Sequence, residues 1–264
     1  MNLQLENKLA LVTGSTAGIG FAIAKALAAE GARVIVNGRT AQRVREAIAT
    51  LTRLVPGGKF EALAGDLATA GMADDTVRQF PDIDILVNNL GIFEPKPFEQ
   101  VTDADWNKFI ETNFMSGVRL SRHYLPRMKA RNSGRILFIA SESAVNIPVE
   151  MIHYGVTKTM QVALARGLAE TTVGTAVTVN SILPGPTRSE GVEVFIGDLA
   201  KSRGSTPEQM EKEFFKTARP SSLLQRFATT DEIAALVVFV ASPLSAATNG
   251  AALRADGGLL RSIL

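Results

Sequence analysis

The sequence contains no cysteine, and this absence excludes several kinds of chemistry. Disulfide bonds, thiolate catalysis and zinc–thiolate sites all need a cysteine sulfur. Two of the 264 residues are histidine, which is too few for a histidine-rich metal site. We therefore predict a protein without a bound metal.

Long apolar runs and concentrated charge are missing as well. No apolar run reaches the roughly 18 residues that a membrane helix needs, and the first residues lack the basic start and apolar core of a secretory signal. The formal net charge is +2 and no block of like charge stands out, which argues against nucleic-acid binding. We expect a cytoplasmic protein with no membrane or nucleic-acid partner.

What the sequence does contain is a repeated alternation of short apolar segments with longer amphipathic ones. The short segments are rich in Val, Ile and Leu, a pattern typical of strands buried on both faces of a parallel sheet. Predicted strands cover 9–13, 33–37, 59–64, 83–88, 135–140, 176–183 and 251–255, and predicted helices cover 18–30, 41–54, 69–79, 103–130, 152–172 and 230–241. The alternation predicts one α/β domain over 1–264, a doubly wound parallel sheet of about seven strands flanked by helices.

One segment interrupts this alternation. Between Pro184 and Arg226 no strand is predicted, and the only helical pattern is a charged amphipathic one around 207–218. We expect the segment 186–226 to form a lid over a ligand crevice, and the alternative is a loop without such a role.

The first predicted strand leads into the sequence TGSTAGIG, residues 13–20, and then directly into a helix. Its three glycines permit a tight turn, a close approach of the backbone to a ligand, and close packing of helix against strand. The N-terminus of the helix offers unpaired N–H groups and the positive end of its dipole to an anion. This position and pattern predict a dinucleotide phosphate site.

The end of the second predicted strand indicates which dinucleotide is bound. NAD-binding chains usually carry an acidic residue about 20 residues after the glycines, which holds the ribose 2′-hydroxyl. Here residues 37–40 read Asn-Gly-Arg-Thr, so no carboxylate repels a 2′-phosphate, and Arg39 can pair with one. We predict NADP (NADPH) rather than NAD; the alternative is that Arg39 is a solvated surface charge. Asp66 is predicted either to accept from the adenine amino group or to cap the following helix.

Seven motifs, in order and at matching spacing, resemble the classical short-chain dehydrogenase/reductase family over nearly all of the chain. They are TGxxxGIG at 13–20, NNAG as Asn88-Asn89-Leu90-Gly91, a helix asparagine as Asn113, a serine as Ser141, YxxxK as Tyr154 and Lys158, a PG turn as Pro184-Gly185-Pro186-Thr187, and DGG as Asp256-Gly257-Gly258. The resemblance implies a Rossmann-like sheet of strand order 3-2-1-4-5-6-7 and a nicotinamide cofactor.

The resemblance also implies roles for the matching residues. Ser141 would hydrogen-bond the reacting oxygen, and Lys158 would hold the nicotinamide ribose. Asn113 would hold a water in a proton relay, and Thr187 would contact the carboxamide. The expected catalytic residues are Ser141, Tyr154, Lys158 and Asn113. The expected cofactor contacts are Gly14, Ser15, Thr16, Gly18, Ile19, Gly20, Arg39, Asp66, Leu67, Asn89, Gly91, Tyr154, Lys158, Pro184, Gly185 and Thr187.

The spacing of Tyr154 and Lys158 places both on one face of a helix. A tyrosine alone is a poor base because its pKa is near 10. A lysine ammonium about 4 Å away, at an effective dielectric near 20, would favour the phenolate by roughly 4 kcal/mol and bring its pKa toward 7. We expect Tyr154 to protonate a carbonyl oxygen as hydride arrives, or to take the hydroxyl proton in oxidation.

Three residues depart from the family pattern. Leu90 replaces the alanine of NNAG and must find room near the cofactor. Glu142 stands where a small or apolar residue is usual, and either binds a polar substrate group or faces water. Arg254 interrupts an apolar strand and is assigned to a subunit contact, since classical members are commonly tetramers. A homotetramer or homodimer is expected.

The substrate is expected to be a small carbonyl or alcohol compound in a largely apolar pocket. Ile92 and Phe93 would form one wall, and the lid residues Val194, Phe195 and Ile196 another. This gives an NADP(H)-dependent oxidoreductase that transfers hydride between nicotinamide and a carbonyl or secondary alcohol.

Two alternatives remain. One is a 3-oxoacyl-thioester reductase whose basic residues Arg127, Lys129 and Arg131 meet an acidic acyl-carrier protein, although Gly174 and Thr175 stand where such reductases often have a basic residue. The other is a non-catalytic NADP-binding regulator on the same fold, which the retained Ser, Tyr, Lys and Asn disfavour.

Overall fold

The computed structural model describes residues 1–202 and 204–263, except for the side chains of Phe195, Asp198 and Leu199. The strands are β1 (Leu9–Val12), β2 (Arg33–Gly38), β3 (Lys59–Ala64), β4 (Ile85–Asn88), β5 (Gly134–Ile139), β6 (Val177–Pro184), β7 (Thr187–Arg188), β8 (Ala228–Thr229) and β9 (Ala252–Ala255). The helices are α1 (Gly18–Ala29), α2 (Ala41–Leu54), α3 (Ala70–Gln79), α4 (Asp103–Phe109), α5 (Ser116–Ala130), α6 (Ile152–Glu170), α7 (Glu190–Ser202), α8 (Pro207–Thr217) and α9 (Thr230–Ala241).

Seven strands form one parallel sheet in the order β3-β2-β1-β4-β5-β6-β9. The predicted order is confirmed, with β9 as the seventh strand of the sheet. The chain runs outward from β1 to β3 and then returns to β4 on the other side of β1. This reversal opens a crevice at the carboxyl ends of the strands, where α/β proteins of this type bind ligands.

Apolar packing on both faces explains why the central strands do not alternate polar with apolar residues. Ala10 and Val12 of β1 point into one apolar core, which α1 and α9 cover, while Leu11 points into a second core on the opposite face. The second core is covered by α5 and α6, through residues such as Leu120 and Ala165. A strand buried on both faces reads as a continuous apolar run.

The structure differs from the sequence prediction in two places. The predicted helix 103–130 is α4 and α5 joined by a π-helical turn, Ile110–Met115. The segment 186–226 contains the helix α7, which was not predicted, the predicted helix α8, and the short strand β7, which pairs with β8. Among the residues described, no helix is both long and apolar enough to cross a membrane.

Candidate active site

The glycine-rich loop between β1 and α1 has a shape that lets a ligand come close to its backbone. Gly14 and Gly18 have φ of +61° and +58°, in the left-handed region that favours glycine. A Cβ at Gly20 would collide with the carbonyl oxygen of Gly14 and with the side chain of Asn89. The Asn89 side chain donates to the carbonyl oxygens of Thr13 and Gly14 at 2.9 and 3.0 Å, so it ties the loop after β4 to the loop after β1. The backbone N–H groups at the start of α1 therefore border an open cradle that fits a phosphate.

The other end of the cavity carries two arginines. Arg39 follows β2, and Arg43 lies in the first turn of α2; both are exposed and line the cavity. Neither guanidinium has an ion-pair partner among residues 1–202 and 204–263. Arg43 was not identified from the sequence, although its place in the first turn of the predicted helix that follows Arg39 was a usable signal. Asn37 is buried and accepts from the Gly14 N–H at 3.0 Å, so it supports the loop instead of facing a ligand.

The alternatives for Asp66 are partly resolved. Asp66 lines the cavity, and its Oδ1 accepts from the Ala68 N–H at 3.0 Å. The cap of α3 is Thr69, whose hydroxyl accepts from the Met72 N–H at 3.3 Å. The contact of Asp66 with adenine stays a prediction.

Ser141, Tyr154 and Lys158 line the same cavity, which has a volume of about 930 Å³. Ser141 follows the carboxyl end of β5, and its Oγ accepts from the Ser143 N–H at 3.1 Å. Tyr154 and Lys158 lie on α6, with Lys158 Nζ 5.7 Å from the centroid of the Tyr154 ring. Lys158 Nζ donates to the carbonyl oxygen of Ile139 at 2.9 Å.

The electrostatics of this group differ from the sequence expectation. Burial raises the pKa of Tyr154 to about 12, against the opposing effect of a hydrogen bond with Ser141, and the charge of Glu142 raises it further. Burial also lowers the pKa of Lys158 to about 7. The expected fall of the Tyr154 pKa toward 7 is wrong for this state of the protein, because burial disfavours the charged phenolate more than Ser141 and Arg219 favour it.

Two predicted residues lie behind the cavity wall. Asn113, in the π-helical turn, is buried; its Oδ1 accepts from the Ile92 N–H at 2.8 Å, and its Nδ2 donates to Thr157 Oγ1 at 3.0 Å. It therefore holds the loop after β4 against α6, and its part in a proton relay stays a prediction. Ser15 is also buried, and its hydroxyl donates to the Val12 carbonyl oxygen at 2.7 Å, so its position does not support a cofactor contact.

The remaining predicted residues reach the cavity. The predicted cofactor residues that line it are Gly14, Thr16, Gly18, Ile19, Gly20, Arg39, Asp66, Leu67, Asn89, Gly91, Tyr154, Lys158, Pro184, Gly185 and Thr187.

Among the expected substrate walls, Ile92, Phe93 and Ile196 line the cavity, and the Phe93 ring meets the Tyr154 ring edge-on at 6.5 Å. Val194 is exposed, and the side chain of Phe195 lies outside the described residues.

The structure also shows the contacts of Leu90 and Arg254, two of the residues that depart from the family pattern. Leu90 is half-buried, lines the cavity and packs against the second apolar core, beside Gly14. The Arg254 guanidinium donates to the carbonyl oxygens of Leu260 and Ser262 at 3.3 and 2.8 Å. Arg254 therefore anchors the segment after β9, and its subunit contact stays a prediction.

Glu142 belongs to a buried charge cluster that was not foreseen. Arg219, which follows α8, donates from Nε to Glu142 Oε1 at 3.3 Å and from Nη1 to Glu150 Oε1 at 3.2 Å. The side chains of Glu142 and Arg219 are 4% and 9% exposed, and all three residues line the cavity. Glu142 therefore does not face water. No sequence signal connects it with Arg219, because the two lie far apart along the chain.

A parallel sheet whose glycine-rich first loop and whose Ser–Tyr–Lys group open onto one cavity is the architecture of an oxidoreductase that uses a nicotinamide dinucleotide. Comparison with known proteins identifies the family. The family model described as short chain dehydrogenase matches residues 8–196, and the chain belongs to that family.

Individual relatives cover the whole chain. An uncharacterized oxidoreductase of Bacillus subtilis (strain 168), YvaG, is 49% identical over 263 residues, which are 100% of both chains. D-beta-hydroxybutyrate dehydrogenase of Cupriavidus necator is 36% identical over 259 residues, covering 96% of this chain and 98% of the relative. The structure of L-sorbose reductase from Gluconobacter frateurii, complexed with NADPH and L-sorbose, matches with a TM-score of 0.93 at 31% identity over 100% of both chains. The chain is thus an NAD(P)-dependent oxidoreductase acting on CH–OH or C=O groups.

Proposed function

We propose that this protein is an NADP(H)-dependent reductase that interconverts a carbonyl compound and a secondary alcohol, with Tyr154 as the acid and base. One observation carries the proposal: Ser141, Tyr154 and Lys158 line the same cavity as the glycine-rich loop and the two arginines. When bound, the nicotinamide supplies or accepts the hydride. The chain's own residues hold the dinucleotide, orient the reacting oxygen and move its proton.

The protonation state of Tyr154 suits the reduction of a carbonyl. With a pKa of about 12, the phenol is protonated at neutral pH and can donate to the oxygen that becomes an alcohol. The Ser143 N–H fixes Ser141, whose own O–H stays available to the Tyr154 oxygen or to the reacting oxygen. Oxidation needs the phenolate, which hydrogen bonding from Ser141 and the charge of Arg219 both favour.

Several features support NADP(H) over NAD(H). Arg39 and Arg43 offer two guanidinium groups at the end of β2, where a 2′-phosphate is expected. A Cβ at Gly38 would collide with the Thr16 side chain, so an acidic side chain there would displace Thr16. The L-sorbose reductase relative was solved with NADPH.

The segment 186–226 is proposed as the lid. Its helices α7 and α8 contribute Ile196, Met210 and Phe214 to the cavity wall, and Arg219 contacts the loop after β5.

The cytoplasmic location and the homotetramer or homodimer stay predictions.

The alternative functions fit the structure less well. Arg131 donates to the carbonyl oxygen of Ile83, just before β4, and pairs with Asp82. The basic residues offered for a carrier protein thus lie at the amino edge of the sheet, whereas the cavity lies at the carboxyl edge. A non-catalytic regulator would not need the Ser–Tyr–Lys group to face the cavity.

The test is Tyr154→Phe, which removes the phenolic oxygen and keeps the ring. We expect NADPH binding to be retained and NADPH oxidation with ketones, quinones, keto sugars and 3-oxoacyl thioesters to fall by about 10²-fold or more. The matched control is Tyr124→Phe, the same change at the buried tyrosine of α5, whose hydroxyl donates to Phe80 at 2.8 Å. That variant should lose some stability and keep its turnover. Normal turnover in Tyr154→Phe would contradict the assigned role.

A further inference from the structure

One carboxylate oxygen in the cavity wall lacks a hydrogen-bond partner. Glu142 directly follows Ser141, lines the cavity and is 3% exposed. Its Oε1 accepts from Arg219, but its Oε2 is buried without a hydrogen bond among the residues described. An unpartnered buried carboxylate oxygen is costly, and native proteins retain such groups at functional sites. This oxygen can therefore accept a hydrogen bond from a bound ligand.

The charge around Glu142 indicates what kind of group that donor is. Arg219 is shared between Glu142 and Glu150, so two carboxylates face one guanidinium. Asp256 adds a further negative charge nearby, and its own oxygens accept from the Gly258 and Leu260 N–H groups. Three carboxyl groups, Glu142, Glu150 and Asp256, thus surround one guanidinium, and their excess disfavours a substrate carboxylate or phosphate beside Glu142.

A hydroxyl group satisfies Oε2 in either protonation state of Glu142. Burial raises the pKa of this carboxyl, while the charge of Arg219 and the polar side chains of Arg219 and Ser143 lower it. A hydroxyl can donate to the carboxylate and can accept from the carboxylic acid. A ketone or ether oxygen can do only the latter, and an apolar group can do neither.

Glu142 also lies close to the reacting atoms. It is the neighbour of Ser141 in the chain, and its charge is felt at the Tyr154 phenol. A hydroxyl bound at Oε2 would thus lie near the carbon that exchanges hydride.

We infer that Glu142 is a specificity-determining residue that hydrogen-bonds a substrate hydroxyl close to the reacting carbonyl. The substrate class is a neutral hydroxyketone or ketose, not a simple ketone and not a keto acid. This inference rests on the proposed function. It adds a hydroxyl, at this end of the cavity, to the largely apolar substrate expected from the sequence.

The experiment uses three ketones that differ at one end only: 4-hydroxybutan-2-one, pentan-2-one and acetoacetate. The first ends in a hydroxyl, the second in a methyl group and the third in a carboxylate. We expect the wild-type kcat/KM with NADPH to be at least about tenfold higher for 4-hydroxybutan-2-one than for pentan-2-one, and lowest for acetoacetate.

Variants at Glu142 separate hydrogen bonding from charge. Glu142→Leu should remove the advantage of the hydroxyketone over pentan-2-one. Glu142→Gln keeps a hydrogen-bonding amide and a partner for Arg219, so it should keep that advantage and raise the activity on acetoacetate. The Gln variant also keeps the test valid if the Leu variant fails to fold.

Glu150→Gln is the matched control, because it removes the other carboxylate of Arg219 and leaves Oε2 of Glu142 in place. It should retain the preference for the hydroxyketone. If Glu150→Gln loses the preference as fully as Glu142→Leu, the effect comes from tethering Arg219, and the inference is overturned.

The remaining outcomes separate the inference from the proposed function. Equal wild-type kcat/KM for the hydroxylated and deoxygenated ketones, with turnover that depends on Tyr154, overturns the inference and leaves the proposed function intact. If no ketone is reduced, the proposed function fails for these probes, and ligand-detected NMR on the NADPH complex decides the inference. Preferential binding of 4-hydroxybutan-2-one that Glu142→Leu abolishes supports it, and equal binding of the two ketones overturns it.

Discussion

The buried position of Lys158 disfavours the charged form of its side chain. Its amine is buried in the cavity wall and donates to one backbone carbonyl oxygen, that of Ile139. Burial lowers its pKa from 10.5 to about 7, so the folded protein binds fewer protons than the unfolded chain between these two values. Stability therefore rises with pH across this window, and the cost of burying the charge is fully present below about pH 7.

Replacing Lys158 should reveal that cost. Lys158→Met keeps an unbranched side chain without the charge, so we expect it to raise the free energy of unfolding by on the order of a few kcal/mol at pH 6.5. The gain should shrink at pH 9.5, and turnover should be lost at both values. Urea unfolding at the two pH values measures this effect, with the exposed Lys216→Met as the control.

An increase in the free energy of unfolding that is equal at pH 6.5 and 9.5 would show that the buried charge does not cause the increase. An equal increase in Lys216→Met would show the same.

The residues of the site were predictable to different extents. Tyr154 and Lys158 could be paired because helical spacing places them on one face. The direction of the Tyr154 pKa could not be predicted, because it depends on burial that only the folded packing creates. Arg219 could not be connected with Glu142, because a contact between distant segments leaves no periodic signal.

At the scale of elements, the strands of the sheet were predicted closely because each is a short apolar run between turns. Helix α7 was missed since its sequence contains Gly191 and Gly197 together with several β-branched residues, all of low helix propensity. The π-helical turn at 110–115 was missed because one extra residue in a turn barely disturbs the apolar pattern. Such turns are frequent at functional sites, and this one holds Asn113.

Helix α6 packs through Gly155 against the segment 143–147, which follows Ser141. A Cβ at Gly155 would lie 2.7 Å from Ile147 Cγ2 and 3.0 Å from the Ser143 carbonyl oxygen. Gly155→Ala should therefore push the segment 143–147 away, cost about 1–3 kcal/mol of stability and lower kcat/KM.

Gly167→Ala is the matched control on the same helix, because nothing lies within 4 Å of its added Cβ. It should stabilise the protein by about 0.5–1 kcal/mol through helix propensity and leave turnover unchanged. Urea unfolding and NADPH oxidation measure both variants. If Gly155→Ala and Gly167→Ala had similar stability and similar kcat/KM, the segment 143–147 would not depend on close packing at Gly155.

At the scale of the whole molecule, the cavity borders the carboxyl ends of six parallel strands, β1 to β6, so a dinucleotide that filled it would contact much of the sheet. The sheet as a parallel α/β layer was predictable from the alternation of segments. Its strand order came from the family resemblance, because periodicity does not say which strands are neighbours.

Cofactor binding should therefore stabilise the entire domain. At a concentration one hundred times its Kd, NADPH should add about 2.7 kcal/mol, equivalent to a rise in Tm of roughly 5–11 °C for a domain of this size. Arg39→Ala and Arg43→Ala should reduce this rise while changing that produced by NADH much less. Thermal unfolding with each cofactor measures the difference.

The control is Arg45→Ala, an exposed arginine on α2 that does not line the cavity. Equal losses with NADPH and NADH in the Arg39 and Arg43 variants would contradict the 2′-phosphate contact.

The ion pair between Arg219 and Glu142 joins positions 77 residues apart. A mutant library that randomises only the Arg219 codon would consist largely of proteins in which the buried Glu142 carboxylate has lost its ion-pair partner. Laboratory evolution of new selectivity would therefore progress through paired changes at both positions. If the segment 189–222 were replaced by that of a relative, the residue at position 142 would likewise have to be replaced by the relative's residue.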